Sequence, residues 1–283
     1  MRSRRCPARP ARMPEMDERD FAALLETALE RQVGTPLRAL AEAMTPRPAA
    51  PAEGGLGPWN YRGHPDQPFG PVSYAQFGED LILQNLFHML RIERPGFIDV
   101  GAHHPVACNN TALLYARGSR GVNIDANPHF MPAYAELRPE DVTLNLGIGP
   151  AAGELDYYMI DEFSGRNGFD RATAEAFVAA HPAFSIREVR RIPVVTLDEV
   201  VATQCGGTWP DLLCIDAEGL DCAILESAHF GPAGPRVLCV ENVSGDDHDA
   251  AGRLEAIAAA RGFSLFARTV GNLILWRPTA PGG

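Results

Sequence analysis

The sequence predicts an α/β fold: one mostly parallel, Rossmann-like sheet with helices on both faces, a C-terminal antiparallel hairpin and an N-terminal helical extension. Three observations predict it. Phe97-Ile98-Asp99-Val100 and Gly121-Val122-Asn123-Ile124-Asp125 read as short apolar strands carrying an Asp at or near the end, with one helical crossover between them. Short apolar runs then alternate with helix-length amphipathic segments along most of the remaining chain. The last two runs instead flank Val270-Gly271-Asn272, which reads as a hairpin turn.

Residues Asp17 to Val33 place Phe21, Leu24, Leu25, Ala28, Leu29 and Val33 on one face, an amphipathic helix with Asp17 as its cap. A second short helix is expected from Leu37 to Met44. Together they make residues 1–45 a helical extension, suited to packing on the core or to self-association as a homo-oligomer. Pro46, Pro48, Pro51, Pro58, Pro65, Pro68 and Pro71 make residues 46–72 a linker, because proline has no N–H to give to a helix or a ladder. The main domain is expected over residues 73–279.

Within that domain Glu79 to Leu90 reads as a helix. Core strands are expected at Phe97 to Val100, Val122 to Asp125, Val142 to Leu146, Leu212 to Asp216 and Val237 to Glu241. Helices are expected at Asn110 to Arg117, Pro128 to Leu137, Asp221 to Ser227 and Ala250 to Arg261. Between the third and fourth core strands lies an insertion. It holds an expected strand (Glu154 to Ile160), a polar loop (Ser164 to Gly168), a helix (Ala172 to Ala180), a strand (Arg191 to Val195) and a short helix (Leu197 to Ala202). Substrate specificity is expected there. Phe263 to Arg268 and Leu273 to Trp276 form the terminal hairpin.

In an open α/β sheet the ligand lies beyond the carboxyl ends of the strands. Asp99, Asp125, Asn145, Asp216 and Glu241 all fall on that edge. Strand, glycine turn, helix, strand and acid is how such a sheet holds an adenosine: the turn admits the ligand to the backbone, and the second acid accepts from the ribose hydroxyls. A dinucleotide fits poorly. Counting Gly101 as the first position of G-x-G-x-x-G, the third and sixth are His103 and Val106. A phosphate-binding G-x-x-x-x-G-K-[ST] loop is excluded, because the chain contains no lysine. The expected ligand is adenosine-like without phosphates, and S-adenosylmethionine (SAM) fits that description.

Five motifs then come in order: Ser73-Tyr74-Ala75-Gln76-Phe77-Gly78-Glu79-Asp80; Phe97 to Pro105, which reads FIDVGAHHP; Asn109-Asn110-Thr111; Gly121 to Pro128, which reads GVNIDANP; and Cys214-Ile215-Asp216-Ala217-Glu218-Gly219-Leu220-Asp221. Together they resemble the FkbM family of SAM-dependent methyltransferases over roughly Ser73 to Trp276. The resemblance implies a methyltransferase sheet and a hydroxyl acceptor on a sugar, glycan or secondary metabolite. It implies that Asp99, Gly101 and Ala102 meet the methionine portion of SAM, Asp125 the ribose and Asn145 the adenine edge. Gln76, with Glu79 and Asp80, would close over the cofactor; the two acids are equally explained by the helix dipole.

Methyl transfer to a hydroxyl requires alignment and removal of a proton. Two routes are open. In one, His103 or His104 is the general base, near neutral pH. Many FkbM relatives carry Asn-x-Gly where this chain has His103-His104-Pro105. In the other, Asp216, Glu241 and Asn242 hold a divalent cation, similar to the ligands of catechol-type O-methyltransferases, and hard oxygen donors suit Mg²⁺. Asp216 is also a candidate base in its own right, and Glu218 and Asp221 lie beside that site as bases or substrate ligands. An NAD-dependent oxidoreductase is the first rival, disfavoured by the missing glycines. A non-catalytic SAM-binding module with a partner-docking N-terminus is the second, disfavoured by the acids at the strand ends.

Composition narrows the partners. A net charge of −11 opposes binding to a nucleic-acid backbone. No run approaches the roughly 20 apolar residues of a membrane span. The six cysteines form no C-x-x-C pair and read as buried thiols of a reducing cytoplasm. Arg2 to Arg12 is basic with no apolar run behind it, so it does not read as a secretory leader. A start at Met13 or Met16 is as good a reading as a functional tail.

Overall fold

The computed structural model describes residues 73–231, 233–242 and 250–278. The expected helical extension and the linker lie outside the described residues. Among those described, no helix is long and apolar enough to cross a membrane.

In chain order the elements are α1 (Glu79–Met89), β1 (Phe97–Val100), α2 (Ala112–Ala116), β2 (Gly121–Ile124), α3 (Met131–Leu137), β3 (Val142–Leu144), β4 (Gly147–Ile148), β5 (Gly153–Met159), α4 (Arg171–Ala180), β6 (Glu188–Val195), α5 (Leu197–Gln204), β7 (Leu212–Ile215), α6 (Asp221–Ser227), β8 (Val237–Glu241), α7 (Ala250–Ala260), β9 (Ser264–Arg268) and β10 (Asn272–Trp276). Seven strands form the main sheet in the order β3-β2-β1-β7-β8-β10-β9. The first five are parallel. β10 runs antiparallel to both β8 and β9. The fold is therefore the expected one, with the hairpin strand inserted beside β8.

Alternation along each strand assigns side chains to the two faces. Ile98, Val100, Leu213, Ile215, Leu238 and Val240 join Val200, Ile224 and Leu254 of α5, α6 and α7 in one core. Phe97, Leu212, Cys214, Val237 and Cys239 meet Leu83, Leu86 and Phe87 of α1 and Leu114 of α2 in another. Both faces are covered, which is why these strands read as near-continuous apolar runs, broken in β1 only by Asp99. Each fully buried Leu, Ile or Phe contributes roughly 1.5–3 kcal/mol.

Two buried acids fasten the segment ahead of β1. Asp80 accepts from the Ser73 hydroxyl (2.6 Å) and the Tyr74 and Leu81 N–H groups. Glu79 accepts from the Phe77 N–H and from Thr269 Oγ1 and Asn272 Nδ2 of the terminal hairpin. Both acids are fully buried. The insertion forms a second sheet in the order β4-β6-β5, with β5 and β6 an antiparallel ribbon. The two-residue β4 pairs parallel to the end of β6, which leads directly into α5. Tyr157, Met159 and Ile192 of the ribbon pack on Ala126, just past β2.

Candidate active site

Beyond the carboxyl ends of β1, β2 and β7 lies a cavity of about 370 Å³, within the size range of small-molecule sites. Its floor is the turn after β1. Gly101 has φ +71°, and a Cβ there would stand 1.7 Å from the Asp216 carbonyl oxygen. Only glycine fits both the conformation and the approach. The Gly101 and Ala102 N–H groups donate to Ile124 O at 2.9 and 3.1 Å. His103, next in line, is itself left-handed at φ +50°.

Asp125 closes this turn. One carboxylate oxygen accepts from the His103 N–H (2.7 Å) and the other from the Asn127 N–H (2.7 Å). Each oxygen keeps further acceptor capacity, and the residue lines the cavity. Burial raises its pKa, which these two N–H groups partly offset. The 3₁₀ turn at Pro128–Phe130 is capped by Asn127.

The two histidines differ. His104 Nδ1 accepts from the Val106 and Ala107 N–H groups at 3.1 and 3.0 Å. That nitrogen is an acceptor, and burial lowers the ring's pKa, so His104 is a neutral turn-holder. His103 Nε2 lies 3.1 Å from Phe163 O, which can only accept. Nε2 therefore donates, and the other ring nitrogen, Nδ1, is buried without a partner. The ring packs against Phe130 in a tilted arrangement, with centroids 4.4 Å apart.

Asp99 points to the α1 face and lines the cavity. Thr111 Oγ1 donates to it at 2.7 Å. Desolvation pushes its pKa up to about 6, against the Thr111 hydrogen bond and the Arg138 charge, which lower it.

At the end of β7, Asp221 accepts from the Ala217 and Gly219 N–H groups (2.9 and 3.1 Å) and shapes the turn between them. Glu218 sits on that turn at φ +48°, a conformation costly for a residue with a Cβ. Asp216, Glu218 and Glu241 bring carboxylate oxygens within 4.8 Å of one another. Desolvation is the first cause that raises all three; repulsion from neighbouring acids follows for Asp216 and Glu241, and repulsion from Asp221 adds to the rise of Glu218. Glu218 is pushed up to about 7, with Arg166 opposing the rise. Asp216 and Glu241 are hydrogen-bonded to each other and keep a proton well above the usual carboxylate range.

The roof is the polar loop of the insertion, where Phe163, Arg166, Asn167 and Phe169 face the cavity. Asn167 braces it, accepting from the Ile160 N–H and donating to Asp161 O. Gly168 brings the loop against Glu218: a Cβ there would lie 3.2 Å from that of Glu218.

A family model described as the methyltransferase FkbM domain matches residues 99–264. The chain belongs to the FkbM methyltransferase family. Methyl transfer from SAM comes with that membership, and the oxidoreductase reading falls. No curated protein sequence matches the chain significantly. Among solved structures, it is similar to a TehB-like SAM-dependent methyltransferase from Corynebacterium glutamicum, with 13% identity over 72% of this chain and 89% of that one and a TM-score of 0.37. It is also similar to a 1,6-didemethyltoxoflavin-N1-methyltransferase from Burkholderia thailandensis with bound 1,6-didemethyltoxoflavin and S-adenosylhomocysteine, with 12% identity over 96% and 94% of the chains and a TM-score of 0.36.

In this FkbM methyltransferase, Gln76, Asp99, Gly101, Ala102, His103, Asp125, Asp216, Glu218 and Glu241 all line one cavity. Asn145 and Asn242 are not among the lining residues. β3 ends at Leu144, one residue before Asn145, whose amide donates to Asp125 O at 2.9 Å. Leu146, Gly147 and Ile148 border the cavity in its place. The Asn242 N–H continues the hairpin ladder to Gly271 O. Glu79 and Asp80 are fasteners away from the cavity. Arg138 and Arg166 were missed by the sequence reading; a polar run between an insertion strand and helix pointed to the second, and nothing local pointed to the first.

Proposed function

We propose that this enzyme transfers the methyl group of SAM to a hydroxyl, with Glu218 as the general base. The observation that carries the reading is Glu218 itself: a carboxylate facing the cavity, with a pKa pushed up to about 7, on a backbone turn held by Asp221. A base is most effective when its pKa lies near the working pH. Asp99 would pair with the ammonium of SAM and Asp125 would accept from its ribose hydroxyls. Ala102 and Gln76 would border the cofactor. The acceptor, a hydroxyl on a sugar, glycan or secondary metabolite, follows from the family resemblance. The roof loop, with Ser164, Arg166 and Asn167, offers it polar partners.

A second reading rests on the acid trio. Asp216, Glu218 and Glu241 supply three hard oxygen donors close together, so they fit Mg²⁺ or a similar cation. Glu218 takes the place expected for Asn242. Bound there, a divalent cation would lower the pKa of an acceptor hydroxyl. The five described cysteines are all free, which supports a cytoplasmic location.

The test is transfer of label from methyl-labelled SAM to a panel of sugar hydroxyls, phenols and amines, with EDTA or with Mg²⁺. Hydroxyl methylation that survives EDTA and is lost in Glu218→Gln, with S-adenosylhomocysteine binding retained, supports the base. Loss in EDTA restored by Mg²⁺ selects the second reading. Labelling of amines alone overturns O-methylation.

A further inference from the structure

Beneath the cavity floor runs a buried polar chain. Arg138, 2% exposed, lies just past α3. Its guanidinium pairs with Asp141 at 2.8 Å and donates to Asn109 Oδ1 (3.1 Å) and Thr111 Oγ1 (3.1 Å). Thr111 and Asn109 are equally buried, and Asn109 donates to Ala102 O and His104 O of the glycine turn. Donor logic fixes the direction. A guanidinium only donates, so the Thr111 lone pair is occupied from that side. The one hydroxyl proton then goes to Asp99 Oδ2 at 2.7 Å, its closest acceptor.

We propose that Arg138 is a positioning residue which, through the Thr111 hydroxyl, fixes the orientation and charge of Asp99 and so governs how tightly the site holds the ammonium of a methionine-type ligand. The inference rests on the SAM reading of the cavity. The groups facing Asp99 make the need for such a device plain. Asp125 beyond β2, Asp141 before β3 and Asp216 beyond β7 are acids, and the Tyr134 phenol of α3 and the Cys214 thiol of β7 are neutral. Against these, Arg138 is the cation that acts on Asp99. Aromatic faces of Phe97, Tyr115 and Tyr134 surround the guanidinium at 5.1 to 5.5 Å and shield it from water, so its field is little screened.

The test is calorimetric titration from pH 5.5 to 7.5 with two probes. S-adenosylhomocysteine carries the ammonium; 5′-methylthioadenosine does not. The proteins are wild type, Arg138→Met, Thr111→Val and Thr111→Ser. In wild type, S-adenosylhomocysteine affinity should fall as pH drops through about 6, the Asp99 value. In Arg138→Met and Thr111→Val that midpoint should move up by about one pH unit, giving about tenfold weaker binding at pH 5.5. Affinity for 5′-methylthioadenosine should stay within about twofold, and Thr111→Ser should restore the wild-type profile. Should Arg138→Met fail to fold, Thr111→Val decides alone. Equal weakening of both probes at every pH means a merely structural role and overturns the proposal. So does a Thr111→Val profile identical to wild type. Wild-type protein that binds neither probe overturns the SAM reading itself, a result distinct from either.

Discussion

Gly101 and Asp216 meet backbone to backbone at the switch between β1 and β7: a Cβ on Gly101 would lie 1.7 Å from the Asp216 carbonyl oxygen. The contact sets the depth of the cavity floor, because β1 and β7 are hydrogen-bonded neighbours that both end at this point. Gly101→Ala must therefore spread the strand ends as well as force a left-handed alanine. The expected cost is about 2–4 kcal/mol, read as a lowered denaturation midpoint with an unchanged m-value. S-adenosylhomocysteine binding should be lost in the same variant. A variant with wild-type stability would show that the floor is mobile.

Asp125→Asn preserves size but places an NH₂ against either the His103 or the Asn127 N–H, both of which donate to this carboxylate at 2.7 Å. A donor facing a donor loses one turn anchor and, on the proposed reading, one ribose acceptor together. We expect about 100-fold weaker binding of S-adenosylhomocysteine, equivalent to about 2.7 kcal/mol. 5′-Methylthioadenosine should weaken equally, since both probes carry the ribose. A loss confined to S-adenosylhomocysteine would move Asp125 from the ribose to the amino-acid end.

The sheet was legible because its central strands are buried on both faces, so Leu212–Ile215 is apolar throughout and Phe97–Val100 is broken only by Asp99, with a polar residue at or near each strand end. The cavity acids were legible for the same reason: a strand end on one edge is a place, whatever the side chain later touches. What was not legible depended on partners far along the chain. β4 is two residues long and exists only because β6, more than forty residues on, pairs with it. Asn145 sits one residue beyond the end of a strand expected to run to Leu146, and that single step takes its amide to Asp125 O instead of the cavity. Arg138 follows an exposed Leu137 and looks like a surface residue; its burial is created by Asp141, Asn109 and Thr111.

Glu218 acting as base makes the rate depend on its deprotonated form. With a pKa pushed up to about 7, kcat should fall as pH drops below 7 and level off above it. Glu218→Gln should lower kcat by about 10²–10⁴-fold and remove that limb. Binding of S-adenosylhomocysteine should survive, because on the proposed reading Glu218 serves the acceptor. If the limb persists in the variant, the titrating base is another group.

Glu241 and Asp216 share a proton that free carboxyls would have released. An acid whose folded pKa is raised contributes stability fully below its unfolded value of 4.5, and that contribution is lost as pH rises towards the folded value. At pH 8 the wild type therefore carries a penalty that Glu241→Gln lacks. In EDTA, the variant should melt about 2–4 °C higher at pH 8, equivalent to about 1 kcal/mol. At pH 4 the difference should vanish. A variant less stable at pH 8 would mean that the carboxylate makes a favourable contact outweighing the repulsion.

His103 is held in the left-handed region at φ +50°, where asparagine is among the better-tolerated residues. His103→Asn should therefore keep stability within about 1 kcal/mol, the relief of backbone strain offsetting the lost ring contact with Phe130. What it removes is the Nε2 donation to Phe163 O, the tie between the floor turn and the roof loop. With Glu218 as base, kcat should stay within about fivefold of wild type. KM for the acceptor should rise several-fold, because the loop proposed to meet the acceptor is no longer held down. Cofactor affinity should be unchanged, since the His103 main-chain N–H still reaches Asp125. A fall of about 10²-fold or more in kcat at constant KM would instead assign the proton to the unpartnered Nδ1 of His103, and Glu218 would then be left to bind the acceptor.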